Sequence, residues 1–290
     1  MITKAYVQGL LPPIIVSWLR RKRGAWRKRQ QANLRLELIA KYGTFTTEQL
    51  IAACRQIGVR ENGILFVQCS YNDLLTYRGT PYELLGALRQ LVGAKGTLLM
   101  PAFTTNMSDT PCRPFDVLSD STYTGIIPEL FRREEGVLRS VHPRHSICGL
   151  GPHAAELLAG HENCVYADGL GSPFDKMRRI SAESLCLGLR PGFHSFVHWV
   201  EDIEPGKYPI KVHDGPFECA LRNAYGEEFR RFFYGRCSGN RGQDWLIGKH
   251  LGQNAMRTTE FHGVPLCVYH WPAFADELLA LRDRGLVCFR

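Results

Sequence analysis

The sequence predicts an α/β fold with a mainly parallel or mixed sheet and an antiparallel portion late in the chain. The chain has 290 residues, enough for one large α/β domain or two small ones, and its composition of 44% hydrophobic and 22% charged residues is typical of a soluble globular protein. Short β-branched and aromatic runs alternate with helical spacings over much of its length. Two hairpin signals then follow near the end.

A strand–helix–strand unit opens the body of the chain. Residues 64–67 (ILFV) form a short apolar run, which predicts a buried strand. Residues 81–92 carry leucines at helical spacing, with Pro81 at the start and Gly93 at the end. Residues 96–101 predict the next strand. This order with short connections is typical of a parallel crossover unit.

The remaining elements follow in the same way, and neither an internal repeat nor a low-complexity linker interrupts them. Turn residues at 223–226 and 262–263 mark the two hairpins. The predicted elements are helices at 125–133, 153–159 and 173–180, a strand at 184–189, a helical stretch at 194–201, hairpins at 216–234 and 258–269, and a final helix at 272–284.

The net charge of +8 is concentrated in residues 1–41. This segment holds ten basic residues and one acid, which leaves 26 basic and 27 acidic residues in the body. A near-neutral body lacks the basic folded face that is typical of a nucleic-acid-binding domain. We therefore expect no nucleic-acid partner, and we divide the chain into a basic N-terminal arm (1–41) and a single domain (42–290).

The arm joins an apolar stretch at 10–19 to a polybasic stretch at 20–29. The apolar stretch is about half as long as the roughly 20 residues of a spanning helix, and positive charge follows it, which excludes a cleaved signal peptide. The favoured interpretation is a solvated helix docked on its own domain or on a second subunit of a homo-oligomer. The alternative is a peripheral anchor at the inner face of the membrane.

Ten cysteines are spread along the chain, and the closest two are 15 residues apart. Because most lie inside apolar runs, we expect buried, reduced thiols. Reduced thiols predict a cytoplasmic protein, and the spacing lacks the Cys-x-x-Cys pattern of zinc sites.

The densest polar cluster of the body lies at 139–151, between two predicted helices, and is predicted to be a loop. Arg139, Ser140 and Ser146 are suited to phosphate or amide groups of a cofactor, and the glycines allow close backbone approach. Ordinary turn and cap roles are the alternative. Ser70 follows the first strand, where parallel sheets bind ligands, but this signal is weak alone.

His194, His198 and Glu201 follow at spacings of four and three, which predicts one helix face for all three. In the favoured interpretation Glu201 fixes the tautomer of His198, whose other nitrogen accepts a proton from an attacking nucleophile. A zinc pair of His194 and His198 is disfavoured because Ser195 stands where zinc peptidases carry glutamate. A structural role is the third interpretation.

Several short motifs follow one another along the body of the chain. They are Cys69-Ser70, Arg78-Gly79-Thr80-Pro81, residues 96–104, Phe115-Asp116, residues 125–129, Arg139-Ser140-Val141-His142-Pro143 with Ser146 and Gly149, Gly171-Ser172-Pro173 and residues 195–201. In their order and spacing these motifs resemble the antibiotic N-acetyltransferase family, coenzyme-A-dependent enzymes typified by aminoglycoside 3-N-acetyltransferases. The resemblance runs from about residue 43 to near the C-terminus.

The resemblance implies a three-layer α/β/α fold, acyl-CoA (acetyl-CoA or a longer acyl-CoA) as donor, an amine of a sugar as acceptor, and no metal. It implies direct transfer in a ternary complex, with His198 as general base and Glu201 as its partner. The residues expected along the coenzyme are Ser70, Thr104, Arg139, Ser140, His142 and Ser146.

The chain departs from the drug-modifying members in residues 71–78, in the extra His194 and in the basic arm. Positive charge attracts an anionic nucleotide-linked amino sugar, whereas a polycationic aminoglycoside requires carboxylates. We therefore predict an N-acyltransferase acting on a nucleotide-linked amino sugar in surface polysaccharide (O-antigen) biosynthesis. The alternative is an aminoglycoside 3-N-acetyltransferase that confers resistance. Two other classes stay open: a peripheral membrane module with an inactive body, and a metal-dependent hydrolase.

Overall fold

The computed structural model describes residues 13–104, 113–237 and 242–289. Its helices are α1 (Pro13–Tyr42), α2 (Thr47–Gln56), α3 (Pro81–Val92), α4 (Ile126–Phe131), α5 (Ala154–Leu158), α6 (Pro173–Arg179), α7 (Trp199–Ile203), α8 (Asp244–Gly248) and α9 (Trp271–Asp283). Its strands are β1 (Ile64–Cys69), β2 (Thr97–Pro101), β3 (Phe115–Asp116), β4 (Leu138–Arg139), β5 (Ile147–Leu150), β6 (Glu183–Leu187), β7 (His213–Arg222), β8 (Glu228–Arg236), β9 (Met256–Phe261) and β10 (Val264–His270).

Seven strands form the main sheet, in the order β4-β5-β2-β1-β6-β10-β9. The central strand β1 runs parallel to both of its neighbours, and the outer pairings are antiparallel. The predicted α/β class is confirmed, and the sheet is of the mixed kind. A second sheet contains three strands in the order β3-β7-β8.

Helices cover both faces of the main sheet. Side chains of successive strand residues point to opposite faces, so neighbouring residues of one strand pack with different helices. Leu65 and Val67 of β1 pack with α2, α3 and α4, whereas Phe66 packs with α6, α7 and α9. All three side chains are buried. The arrangement is the expected three-layer α/β/α sandwich.

Helix α3 shows how local sequence fixes the bounds of an element. The Thr80 side chain accepts a hydrogen bond from the Glu83 backbone N–H, and the Glu83 carboxylate accepts one from the Thr80 N–H. Pro81 stands in the first turn, and Gly93 ends the helix with φ of 80°. This capping box and glycine stop confirm the helix predicted at 81–92.

The segment at 139–151 is not a loop throughout, and that prediction is wrong in part. β4 and β5 form an antiparallel hairpin at the edge of the main sheet, next to β2. The sequence does not predict these strands, because polar residues are expected to face water. Arg139 and Ser146 instead form hydrogen bonds inside the protein. A count of polar residues therefore suggested a loop where a short edge pair exists.

The stretch around His194 also differs from the predicted helix. His194 has extended backbone, residues Ser195–His198 form a 3₁₀ turn, and α7 begins at Trp199. His194 therefore does not share a helix face with Glu201. Its ring is buried among aromatic side chains, its Nδ1 accepts a hydrogen bond from Phe196 N–H, and burial lowers its pKa to about 3. The extra histidine is a core residue.

Both predicted hairpins are confirmed, as β7–β8 and β9–β10. The second turns at His262 and Gly263, whose φ angles are 50° and 77°. Cys219 of β7 is disulfide-bonded, so the expectation of reduced thiols is wrong for this residue. The spacing of cysteines along the chain does not reveal a pairing that the tertiary structure determines. The other eight cysteines in the described ranges are free.

Residues 13–42 of the N-terminal segment form helix α1, while residues 10–12 of the apolar stretch lie outside the described residues. The second half of α1 docks on the body. Gln31 Nε2 donates a hydrogen bond to the Asn72 carbonyl, and Leu38 and Tyr42 lie against the turn at Gly263. Among the described helices, none combines the length and apolar character needed to span a bilayer.

Candidate active site

A cavity of about 550 Å³ lies at the carboxyl ends of β1, β2 and β6. This is the edge at which open α/β sheets bind ligands. The walls of this cavity come from several segments that are distant in sequence, and many of the lining residues are polar. The lining includes residues 68–72, Phe103, Arg144, His145, Ser195 and His198.

His198 and Glu201 form a hydrogen-bonded pair at this cavity. His198 ends the 3₁₀ turn and Glu201 lies in α7, with His198 Nδ1 and Glu201 Oε2 3.0 Å apart. The Glu201 side chain is fully buried, whereas the His198 side chain is 24% exposed and lines the cavity. Because Nδ1 is held by the carboxylate, Nε2 is the nitrogen left to accept a proton.

The Glu201 carboxyl group is ionised. Burial raises its pKa, but the Arg236 guanidinium and His198 outweigh burial and hold the pKa below its usual range. The oxygen that does not bind His198 accepts hydrogen bonds from the Cys288 thiol at 2.8 Å and the Tyr208 hydroxyl at 3.3 Å. A carboxylate fixed in this way orients the imidazole and stabilises its protonated form.

Arg236, the last residue of β8, pairs with three buried carboxylates. Its Nη1 contacts Glu201, and its Nη2 lies 3.0 Å from Asp202 Oδ1 and 3.5 Å from Asp168 Oδ2. Burial and the neighbouring Asp202 raise the pKa of Asp168. For Asp202, Arg236 and His213 outweigh burial and lower the pKa. One buried cation thus holds Glu201 and Asp202 as anions.

His145 and Asp168 form a second histidine–carboxylate pair at the same cavity. His145 Nδ1 lies 2.9 and 2.8 Å from the two Asp168 oxygens. The His145 ring stacks on Phe103 and its centroid lies 5.9 Å from that of His198. Burial and Arg144 lower the His145 pKa well below its usual range. The imidazole is therefore neutral, and in the tautomer that donates from Nδ1 to Asp168 its Nε2 is a hydrogen-bond acceptor.

Ser195 places a hydroxyl group in the cavity that His198 lines, and Gln68 of β1 holds it there. Gln68 Nε2 donates to Ser195 Oγ at 2.7 Å, and Ser195 N–H donates to Gln68 Oε1 at 2.9 Å. Because the oxygen accepts from Gln68, its own proton is available to donate into the cavity. Both residues line that cavity.

Of the six residues expected along the coenzyme, Ser70 alone is among the cavity-lining residues of the described ranges. Its Oγ donates to Asp73 Oδ2 at 2.5 Å. Thr104 Oγ1 donates to the Pro143 carbonyl, and His142 Nδ1 accepts N–H groups of the turn that follows it. Coenzyme contact by Ser70, Thr104 and His142 stays a prediction.

Arg139, Ser140 and Ser146 use their polar atoms inside the protein. Arg139 donates to three main-chain carbonyls and to Ser146 Oγ, and Ser146 donates to the Ala102 carbonyl. Ser140 Oγ pairs with His161 Nδ1 at 2.8 Å. These bonds fix the turn that carries His145, so their clearest role is to hold the cavity wall from behind. Their predicted contact with the coenzyme is untested.

Within the described residues, His198, Glu201 and Cys288 could offer metal ligands, with donor atoms inside 4.8 Å of one another. Arg236 contacts the same carboxylate, so a cation there would face a buried guanidinium. Burial and Glu201 raise the pKa of Cys288 well above its usual value, which keeps the thiol protonated. The donor set therefore fits proton transfer better than metal binding.

The family model described as aminoglycoside 3-N-acetyltransferase matches residues 66–279, which include both histidine–carboxylate pairs, Ser195 and Arg236. The chain belongs to this family. Its relatives include aminoglycoside N(3)-acetyltransferase III of Acinetobacter baumannii, which is 29% identical over an alignment of 174 residues that covers 54% of this chain and 60% of that protein. Aminoglycoside N(3)-acetyltransferase IX of Micromonospora chalcea is 27% identical over an alignment of 177 residues that covers 55% of this chain and 62% of that protein. The chain thus spans about three fifths of these relatives.

Solved aminoglycoside acetyltransferases share the fold over most of the chain. The structure of AAC(3)-Xa superposes with a TM-score of 0.70 at 19% identity, covering 87% of this chain and 98% of that one. AAC-IIIb, solved as a binary complex with CoASH, gives a TM-score of 0.68 at 20% identity over 83% and 97%. AAC-VIa bound to sisomicin gives 0.65 at 19% over 83% and 98%.

The predicted acceptor, a nucleotide-linked amino sugar of O-antigen biosynthesis, is wrong. The family model and the matching relatives named above are aminoglycoside acetyltransferases, which was the stated alternative. The error came from assigning the charge of the N-terminal segment to acceptor recognition. That segment lies outside the matched residues 66–279.

Proposed function

We propose that this aminoglycoside 3-N-acetyltransferase family member transfers the acetyl group of acetyl-CoA to an amine of an aminoglycoside. The observation that carries the proposal is the His198–Glu201 pair, whose proton-accepting nitrogen belongs to the residue lining the 550 Å³ cavity. Relatives solved with CoASH, with sisomicin and with a gentamicin support both substrate classes.

In the proposed reaction the amine attacks the thioester carbonyl carbon, and a C–N bond forms. His198 Nε2 takes the amine proton, and buried, ionised Glu201 stabilises the resulting imidazolium. The C–S bond then breaks, and the CoA thiolate leaves and recovers the proton from His198. Each proton and electron pair is thereby accounted for without a covalent enzyme intermediate.

Ser195 is the proposed donor to the oxyanion that develops on the thioester oxygen. Its hydroxyl oxygen is held by Gln68 Nε2, which directs the remaining proton away from Gln68. A donor that is already fixed needs little reorganisation as charge develops. The Ser195–Gln68 pair therefore stabilises the transition state more than the ground state.

His145 is proposed to bind the acceptor. With its Nδ1 on Asp168, the neutral ring presents an acceptor nitrogen 5.9 Å, ring to ring, from His198. Aminoglycosides carry many amine and hydroxyl donors. Two acceptor nitrogens on one wall can therefore hold one amine at His198 and a neighbouring donor group at His145.

The proposed function is tested by release of free CoA thiol from acetyl-CoA in the presence of sisomicin or gentamicin. We expect turnover with either aminoglycoside and none with a nucleotide-linked amino sugar, which serves as the control acceptor. Calorimetric titration with CoA gives an independent reading of donor binding. Absence of turnover on every aminoglycoside tested, despite CoA binding, would contradict the proposed acceptor.

The Ser195→Ala variant is expected to lose roughly 10²-fold in kcat, because one oxyanion donor is removed. The KM for acetyl-CoA should change far less, since the lost hydrogen bond forms mainly in the transition state. Ser195→Thr, which keeps a hydroxyl group, should restore most of the rate. An unchanged kcat in the alanine variant would remove Ser195 from the mechanism.

A further inference from the structure

A second cavity, of about 530 Å³, lies between helix α1 and the segment that follows β1. Helix α1 contributes Lys28, Gln31 and Arg35 to one wall, and Arg78 and Thr80 stand on the other. This cavity exists because the second half of α1 docks on the body. Helix α1 lies outside the residues that the family model matches.

The second cavity adjoins the 550 Å³ cavity that His198 lines, because Tyr71 and Asn72 line both. Hydrogen bonds fix this shared wall on each side. The Tyr71 hydroxyl donates to the Gly79 carbonyl at 2.9 Å, and the Asn72 carbonyl accepts from Gln31 Nε2 of α1 at 2.5 Å. An elongated ligand could therefore extend from α1 to His198 past these two residues.

The second cavity is strongly cationic. Lys28, Arg35 and Arg78 line it, and none of its lining residues is acidic. Across the described ranges, none of the three basic side chains has an ion pair with a carboxylate. Burial and, to a smaller extent, the Glu83 carboxylate raise the pKa of Tyr71, and the Arg35 guanidinium opposes that rise, so Arg35 acts electrostatically on the shared wall.

We propose that this cavity binds the phosphate groups of acetyl-CoA, with Lys28 and Arg35 of α1 and Arg78 as their partners. The inference rests on the proposed function and adds the location of the donor's anionic end. Coenzyme A joins a thiol end to a nucleotide that carries a pyrophosphate and a 3′-phosphate. The thioester must reach His198 and Ser195, and the polyanionic end requires clustered cations with unpaired charge.

The assignment gives the basic helix a role different from steering the acceptor. A polycationic aminoglycoside would be repelled by this cavity, whereas the donor would be attracted. Anionic lipid headgroups carry the same phosphate chemistry and could also meet α1. The test therefore includes both sources of phosphate.

The test compares the double variant Lys28→Gln/Arg35→Gln with the unchanged protein. We expect the Kd for CoA, measured by calorimetry, to rise about tenfold or more, since two charged phosphate partners are lost. The Kd for S-acetylpantetheine, which lacks the nucleotide phosphates, should not change. Lys22→Gln/Arg29→Gln removes the same charge from the same helix outside the cavity lining and should leave the Kd for CoA unchanged.

The outcomes separate this inference from the proposed function. Equal CoA affinity in the double variant and the unchanged protein would overturn the inference and leave the function standing. Failure of the unchanged protein to bind CoA would overturn both. If the double variant lost binding to phosphatidylglycerol vesicles but not to CoA, the cations would serve a lipid surface, and the inference would be wrong.

Discussion

Replacing His198 with alanine is expected to lower kcat by roughly 10²- to 10⁴-fold, the contribution of a well-placed general base. Nε2 is the only nitrogen of this ring that Glu201 leaves free, so no second proton acceptor remains on this side chain. Release of CoA thiol with saturating sisomicin measures the loss. Calorimetric titration with CoA should show unchanged donor affinity, because the change lies in the chemical step.

His153→Ala is the matched control for this prediction, because His153 is an exposed histidine outside the lining of the cavity that contains His198. It should retain the full rate. A His198 variant with normal kcat would show that the amine loses its proton elsewhere. In that case His145, the other imidazole of the cavity, would be the residue to replace next.

Replacing Arg236 with methionine is expected to lower the free energy of unfolding by about 3–5 kcal/mol, because it leaves buried carboxylates without their cation. The Arg236 side chain is 11% exposed and contacts Glu201, Asp202 and Asp168. Urea denaturation followed by tryptophan fluorescence measures the change. The variant should also lose activity, since Glu201 loses the charge that keeps it ionised.

Arg230→Met, on the same strand, is the control for this stability measurement. Arg230 is 67% exposed and pairs across the hairpin with Glu218, and such surface pairs contribute about 0–1 kcal/mol. Equal losses in the two variants would contradict a special role for the buried arginine. The comparison also removes any general effect of placing methionine in β8.

The Arg236 effect should depend on pH with a definite sign. Arg236 lowers the folded-state pKa of Glu201 and Asp202 below their unfolded values. Their contribution to stability is therefore fully present above the unfolded pKa values, near 4, and is lost as pH falls through the folded ones. Burial and Asp202 raise the pKa of Asp168 overall, but Arg236 opposes that rise, so the loss of Arg236 acts on Asp168 in the same direction. We expect the gap between Arg236→Met and the unchanged protein to narrow in acid.

Local sequence patterns were sufficient to predict most of the fold and the pairing of His198 with Glu201. The capped helix at 81–92 and the hairpin at 258–269 depend on neighbouring residues, so their signals are present in short windows. The spacing of three between His198 and Glu201 is equally local. It holds in the structure although a 3₁₀ turn precedes α7, because both residues still meet across about one turn.

The rest of the site depends on contacts that no short window contains. β8 carries Arg230, Arg231 and Arg236, and only the three-dimensional position shows that the guanidinium of the last one lies against buried carboxylates. Similarly, the resemblance emphasised His142, whose ring stacks on His161 in the interior. His145, three residues later, lines the cavity instead.

The position of Arg236 makes the proposed catalysis depend on the integrity of the smaller sheet. The β7–β8 hairpin belongs to a sheet of three strands, and much of the surface of this sheet is exposed. Arg236, the last residue of the hairpin, contacts the carboxylates of Glu201, Asp202 and Asp168. Such an element can detach in a partial opening well below the global unfolding transition. Detachment would withdraw the guanidinium and leave Glu201 to take up a proton. The rate of turnover would then depend on the fraction of molecules in which this hairpin is docked. In mild denaturant, activity would be lost before the main sheet unfolds.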